Sequence, residues 1–246
     1  MKTKCFHRFL NRIVHFEADI ELVDVLNTAS ARGALNSTGG KHMFDDIAPS
    51  KHPRLAVRPN TAHARQLAIN HLYVTLLGSF IKDIYEDAFR YFSDVLEAAV
   101  KRGVNPGQLV GDHQTNFKAN DLLAAGSWNN VVALVSSSIF RALENEQNTR
   151  KLLDKLDTKL GLDVDAAKVS AALPYFEMRH LLVHADGVVD EAFCKAFPGF
   201  KETAGVKLKL SSQRIRRAHT AIVELIDEFD QKLISKGVVA NTDCAP

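Results

Sequence analysis

The sequence predicts an all-α protein, an up-and-down helical bundle over residues 59–237 with an N-terminal helix and linker at 1–58 and a flexible tail at 238–246. Three observations carry this. Apolar residues recur at three- and four-residue steps over several long stretches, which is the signature of amphipathic helices. Those stretches begin and end at capping and breaking residues. A single segment, Val206-Lys207-Leu208-Lys209-Leu210, alternates with period two, and it is too short to build a sheet.

In chain order, Phe6, Phe9, Leu10, Ile13, Val14, Ile20, Val23 and Leu26 mark an amphipathic first helix. A stretch rich in turn formers follows, from Gly33 through Gly39 and Gly40 to Pro49, Pro53 and Pro59, and reads as a long surface loop or linker. The longest helical pattern then runs from Thr61 to Arg102. Leu67, His71, Val74, Leu77, Ile81, Ile84, Phe89, Phe92, Val95, Leu96 and Val100 mark its buried side, and Gly103 and Pro106 stop it.

A polar connector from Gly107 to Asn120 leads to apolar segments at 122–125 and 128–143, where Trp128 reads as a core anchor. Residues 150–160 read as a short helix. Asp165 is placed to cap a helix that continues, with a bend at Pro174, to Ala185, where Asp186-Gly187 ends it. Ser211 or Ser212 caps the last helix, with Ile215, Ala218, Ile222, Leu225, Ile226, Phe229 and Leu233 on one face and Gly237 at its close.

Composition narrows the function classes. The chain of 246 residues is 46% hydrophobic and 24% charged, ordinary for a folded soluble protein. A net charge of +2 does not by itself announce nucleic-acid binding, so any basic surface has to come from local clustering. Cys5, Cys194 and Cys244 are isolated, form no metal knuckle and suggest no disulfide framework, so a reducing cytoplasm is expected. Charges interrupt every apolar run of the N-terminus, leaving neither a signal peptide nor a membrane span. Phosphate-binding glycine loops, dinucleotide fingerprints, His-Glu-x-x-His and Gly-x-Ser-x-Gly are all missing.

The chemically informative segment is Tyr175-Phe176-Glu177-Met178-Arg179-His180-Leu181-Leu182-Val183-His184-Ala185-Asp186-Gly187. Histidine exchanges protons near neutral pH, with an ordinary pKa of about 6.5. Arginine is always charged and grips two phosphate oxygens at once. Glu177, His180 and His184 share a helix face, whereas Arg179 and His184 lie roughly 140° apart at about 100° per residue. One helix face therefore does not present both. The arginine must wrap around, or the two must act on a substrate lying between two subunits. Glu177 and His180 also have the spacing of half a di-iron site, but none of the other histidines has an acid three positions earlier.

An Arg, a polar residue, three more positions and a His near the end of a late helix, followed by Asp-Gly and a final amphipathic helix, resemble the signature of the HEPN superfamily and of its RiboL-PSP-like branch. The likeness takes in the long helix with Leu77-Gly78-Ser79-Phe80-Ile81-Lys82-Asp83-Ile84-Tyr85-Glu86 and covers roughly residues 60–237. Related sequences often carry an acid in mid-helix where Gly78 stands here.

The resemblance implies a dimerising helical core and metal-independent RNA cleavage without a cofactor. In that reaction the 2′-OH attacks the adjacent phosphorus and leaves a cyclic phosphate. It implies His184 as general acid/base, Arg179 as phosphate stabiliser and His180 as helper. Glu177, Lys207, Lys209 and Arg214 are the expected substrate contacts, the last three drawn from a basic cluster with Lys201, Arg216 and Arg217. A toxin or defence setting, with an antitoxin or other partner protein, belongs to the same expectation.

Two plainer readings stand beside it. One is a non-catalytic HEPN scaffold that dimerises and binds a nucleotide, RNA or a protein. The other is a helical interaction protein in which the motif is accidental, with His184 an interface histidine and Arg179 the ion-pair partner of Glu177 or a neighbouring acid.

Overall fold

A computed structural model describes residues 1–33, 41–43, 50–103, 116–144 and 149–243. Among them the secondary structure is helical throughout: α1 (Lys4–Ala31), α2 (Pro53–Ala56), α3 (Ala62–Lys101), α4 (Ala119–Ala124), α5 (Trp128–Glu144), α6 (Thr149–Leu160), α7 (Ala166–His184), α8 (Glu191–Ala196), a 3-10 turn (Pro198–Phe200) and α9 (Ser212–Ser235). The all-α class is as the periodicity predicts. Gly39, Gly40, Pro49, Pro106, Cys244, most of the polar connector and the end of the tail lie outside the described residues.

The chain divides into two compact units: residues 1–13, 81–208 and 216–246, and residues 14–80 and 209–215. The larger unit holds the bundle. Phe9, Ile84, Tyr91, Phe92, Leu152, Leu156, Phe176, Met178, Ile222, Leu225, Ile226 and Phe229 are buried in it. Fully burying a side chain of this kind stabilises the fold by about 1.5–3 kcal/mol. The aromatics meet edge to face, Phe92 with Phe229 at 4.9 Å between ring centres and Phe89 with Phe176 at 6.3 Å. α6 packs on α7, and Lys168 of α7 pairs with Glu228 of α9 at 2.8 Å.

A buried polar knot anchors the chain start in this unit. Thr3 caps α1 by accepting from the Phe6 N–H at 3.0 Å, while its own N–H and hydroxyl donate to Asp230. The Tyr91 hydroxyl donates to the same carboxylate at 3.0 Å. Burial, reinforced by the Asp230 charge and hydrogen bond, holds the Tyr91 hydroxyl well above its ordinary pKa. Lys2 pairs with Asp227 and lies 4.9 Å over the Phe6 ring.

In the smaller unit, Ile20, Val23, Met43, Leu77 and Phe80 are buried. Phe16 meets Phe80 edge to face at 5.3 Å, and Gln66 donates to Asn27 at 2.9 Å. Ser211 caps α9, its hydroxyl accepting from Arg214 N–H at 3.3 Å.

Several expectations are corrected. Trp128 is not a core anchor: it is 77% exposed at the first position of α5. Leu67, His71 and Val74 of α3 are exposed as well, and the buried apolar residues of this helix begin at Leu77. The start of α3 belongs to the smaller unit, which has few elements to cover an apolar stripe. The alternating segment at 206–210 forms no strand, only an isolated bridge between Val188 and Lys207. The last described residues do not fray, since Val238 and Val239 are buried and Asn241 accepts from Lys4 N–H at 3.3 Å. Cys5 is disulfide-bonded, with its partner outside the described residues, while Cys194 is free.

Candidate functional site

The motif sits at the C-terminal end of α7. Asp165 starts this helix as read from the sequence, its carboxylate accepting from Ala167 N–H at 2.8 Å. Pro174 lies inside the helix without ending it. The helix stops where Ala185 N–H and Gly187 N–H both bond to Leu181 O, at 3.0 and 2.9 Å. Asp186 and Gly187 take positive φ of 50° and 76°. Gly187 supplies that conformation without a side-chain penalty. The Asp-Gly turn then runs into Val189, whose N–H bonds to Val206 O at 3.0 Å, so the chain after the motif is pinned against residues 205–208.

This local structure distributes the motif over opposite sides of α7. Phe176, Met178 and Leu181 are buried. His180 and His184, one turn apart, are exposed, with ring centres 4.7 Å from each other and planes tilted by 43°. Arg179 points elsewhere. Its guanidinium lies 4.8 Å over the ring of Tyr85 on α3, and Tyr85 is itself stacked on Phe89 at 4.2 Å. The Arg179 Nε is buried without a hydrogen bond, and among the described residues no carboxylate pairs with this arginine. The ion pair with Glu177 that a purely structural motif would make is therefore not formed.

Glu177 is half-buried. Burial raises its carboxyl above the ordinary range, and the nearby Asp190 charge adds to the shift. Lys207 reaches Asp186 at 2.8 Å, and this hydrogen bond and charge pull the exposed Asp186 carboxyl down. Lys209 and Arg214 fall in the smaller unit, where Arg214 donates to the Lys209 carbonyl at 2.7 Å. The larger unit thus contains Glu177, Arg179, His180, His184 and Lys207.

Two features escaped the sequence reading. One is Tyr85 as the platform for Arg179, which nothing local announces. The other is α8, whose signal was present: Asp190 caps it by accepting from Phe193 N–H at 2.7 Å. A cavity of about 280 Å³ lies beside His180 and is lined by Arg150 of α6, by residues of α7 and α8 and by Asp190, the α8 cap. A larger one, about 690 Å³, lies at Ser93, Glu97, Asp121 and Asn130, and among the described residues its lining contains neither a histidine nor a cation. The smaller cavity is the one that adjoins titratable groups of the motif. Among the described residues no cluster of three or more His, Cys, Asp or Glu side chains is arranged to hold a metal ion. No described helix is long and apolar enough to cross a membrane.

Comparison with known protein families, curated proteins and solved structures finds no match.

Proposed function

We propose that the chain is a metal-independent RNA endonuclease of HEPN type, acting as a homodimer in a toxin or defence system. The observation that carries this reading is the exposed His180–His184 pair at 4.7 Å, on the same helix end as an arginine that no carboxylate among the described residues neutralises. RNA supplies its own nucleophile. His184 takes the 2′-OH proton as that oxygen attacks phosphorus, and a proton returns to the leaving 5′ oxygen, with the adjacent His180 assisting. Arg179 stabilises the charge that builds on the phosphorane oxygens. Glu177 and Lys207 contact the substrate around this centre, and Lys209 and Arg214 are further candidates for phosphate contact.

The Tyr85 contact favours one alternative, a non-catalytic HEPN scaffold that binds a nucleotide, RNA or partner protein. In it Arg179 is a packing residue, its guanidinium held against an aromatic ring. Purified protein incubated with total RNA in EDTA separates the two. The nuclease leaves cyclic phosphate ends and loses activity with His184→Ala, whereas the scaffold binds without cutting.

A further inference from the structure

The 280 Å³ cavity beside the histidine pair has a lining that defines its occupant. Glu177 contributes a carboxylate that no donor or cation of the protein satisfies among the described residues. Burial and Asp190 disfavour its charge, so a ligand bringing N–H donors offsets that cost. Phe193 and Phe197 of α8, with ring centres 5.0 Å apart, form an apolar wall together with Leu173. Phe193 is buried and Phe197 half-buried, which leaves the second ring available to a flat apolar partner. Arg150 and His180 belong to the same lining. The fixed charge of Arg150 opposes an entering amine or guanidinium and suits a ligand that carries phosphate.

We infer that this cavity binds the guanine base of an RNA nucleotide, with its N1–H and N2–H donating to the two oxygens of Glu177, its ring against Phe197 and its phosphate toward Arg150 and His180. Guanine is the one common RNA base with two adjacent donors on its Watson–Crick edge. Adenine and cytosine set a bare ring nitrogen beside their amino group, and uracil flanks its N–H with carbonyl oxygens. A carboxylate therefore accepts two parallel bonds from guanine alone, as proteins that read unstacked bases use that edge. This inference rests on RNA as the substrate, yet its test needs no cleavage.

The test is titration of the full chain with guanosine, adenosine, cytidine and uridine 5′-monophosphates by calorimetry or NMR. The guanine nucleotide should bind at least about ten-fold more tightly than the others, the discrimination expected of one bidentate contact. Glu177→Gln presents one acceptor and one donor and should erase that preference. Ala192→Phe, which places a ring at the cavity lining while keeping Glu177, should block the guanine nucleotide as well. Thermal melts establish that both variants fold. Equal binding of all four nucleotides, no binding of any, or an unchanged preference in folded Glu177→Gln overturns the assignment. Guanine-selective binding by a protein that never cuts RNA keeps the pocket and removes the nuclease. RNA cleavage at every base alike, with no guanine preference in binding, does the reverse.

Discussion

Replacing Arg179 by alanine separates a phosphate-binding arginine from a packing arginine, because the structure bounds how much stability the residue can supply. Its guanidinium lies over Tyr85 at 4.8 Å, half-buried, and among the described residues it has no ion pair to break. A contact of that kind contributes about 0.5–2 kcal/mol. The buried Nε has no hydrogen-bond partner, so its removal leaves no orphaned acceptor behind. Losing the aliphatic stem adds a modest packing term. Arg179→Ala should therefore lower unfolding free energy in urea by about 1–2 kcal/mol and leave the helical circular dichroism intact. RNA cleavage should fall by about 10²–10³-fold, the loss expected when a positioned transition-state cation is removed. Arg179→Lys should recover only part of this, since an ammonium lacks the two-pronged grip. A variant that stays folded and cuts at the parental rate would refute the catalytic assignment. A loss of several kcal/mol with a matching loss of activity would make Arg179 a packing residue.

Three further outcomes are expected. His184→Ala should cut the rate by roughly 10²–10⁴-fold with little effect on stability, given its exposure, and a substrate with 2′-deoxyribose at the cleavage position should resist the parental protein. Glu177→Gln should raise the melting temperature at neutral pH. A carboxyl raised by burial contributes its full stability below its unfolded pKa and loses it as pH rises through the folded value, so the gain should vanish in melts near pH 4 and below. Asp230→Ala orphans three buried donors, the Thr3 N–H, the Thr3 hydroxyl and the Tyr91 hydroxyl, and should cost about 2–5 kcal/mol in urea unfolding; a loss under about 1 kcal/mol would show that the knot is not a unit.

The long elements were legible because their signals are local and repeated. Asp165 caps α7, Gly103 follows α3 and Ser211 caps α9 as read from the chain, since a cap depends on residues three or four positions away. What failed depended on partners distant in sequence. Trp128 read as core because of its size, but burial needs a covering element, and no described element covers it. α8 spans six residues, too few for periodicity to register, although Asp190 and the pairing of Phe193 with Phe197 were in view. Asp230 had a readable signal that went unread: it lies on the apolar stripe of α9, four residues after Ile226 and three before Leu233, where a carboxylate requires buried donors.

The candidate site itself follows from spacing in a way that neither helix propensity nor composition conveys. Five positions along a helix turn the chain through roughly 140° beyond a full circle, so Arg-x4-His sends its ends in different directions. With Met178 and Leu181 committed to the core, His180 and His184 emerge on the open side and Arg179 turns toward α3. A phosphate touched by both ends must therefore straddle the edge of α7. That requirement makes the release of Arg179 from Tyr85 the step most sensitive to how firmly the ring is held. Tyr85→Leu, which removes the cation–π contact while keeping an apolar floor, should free the guanidinium and preserve or increase cleavage if Arg179 works on phosphate. If the arginine instead acts only from its seat on Tyr85, the same variant should lose activity as severely as Arg179→Ala, and parallel rate measurements on the two folded variants decide between them.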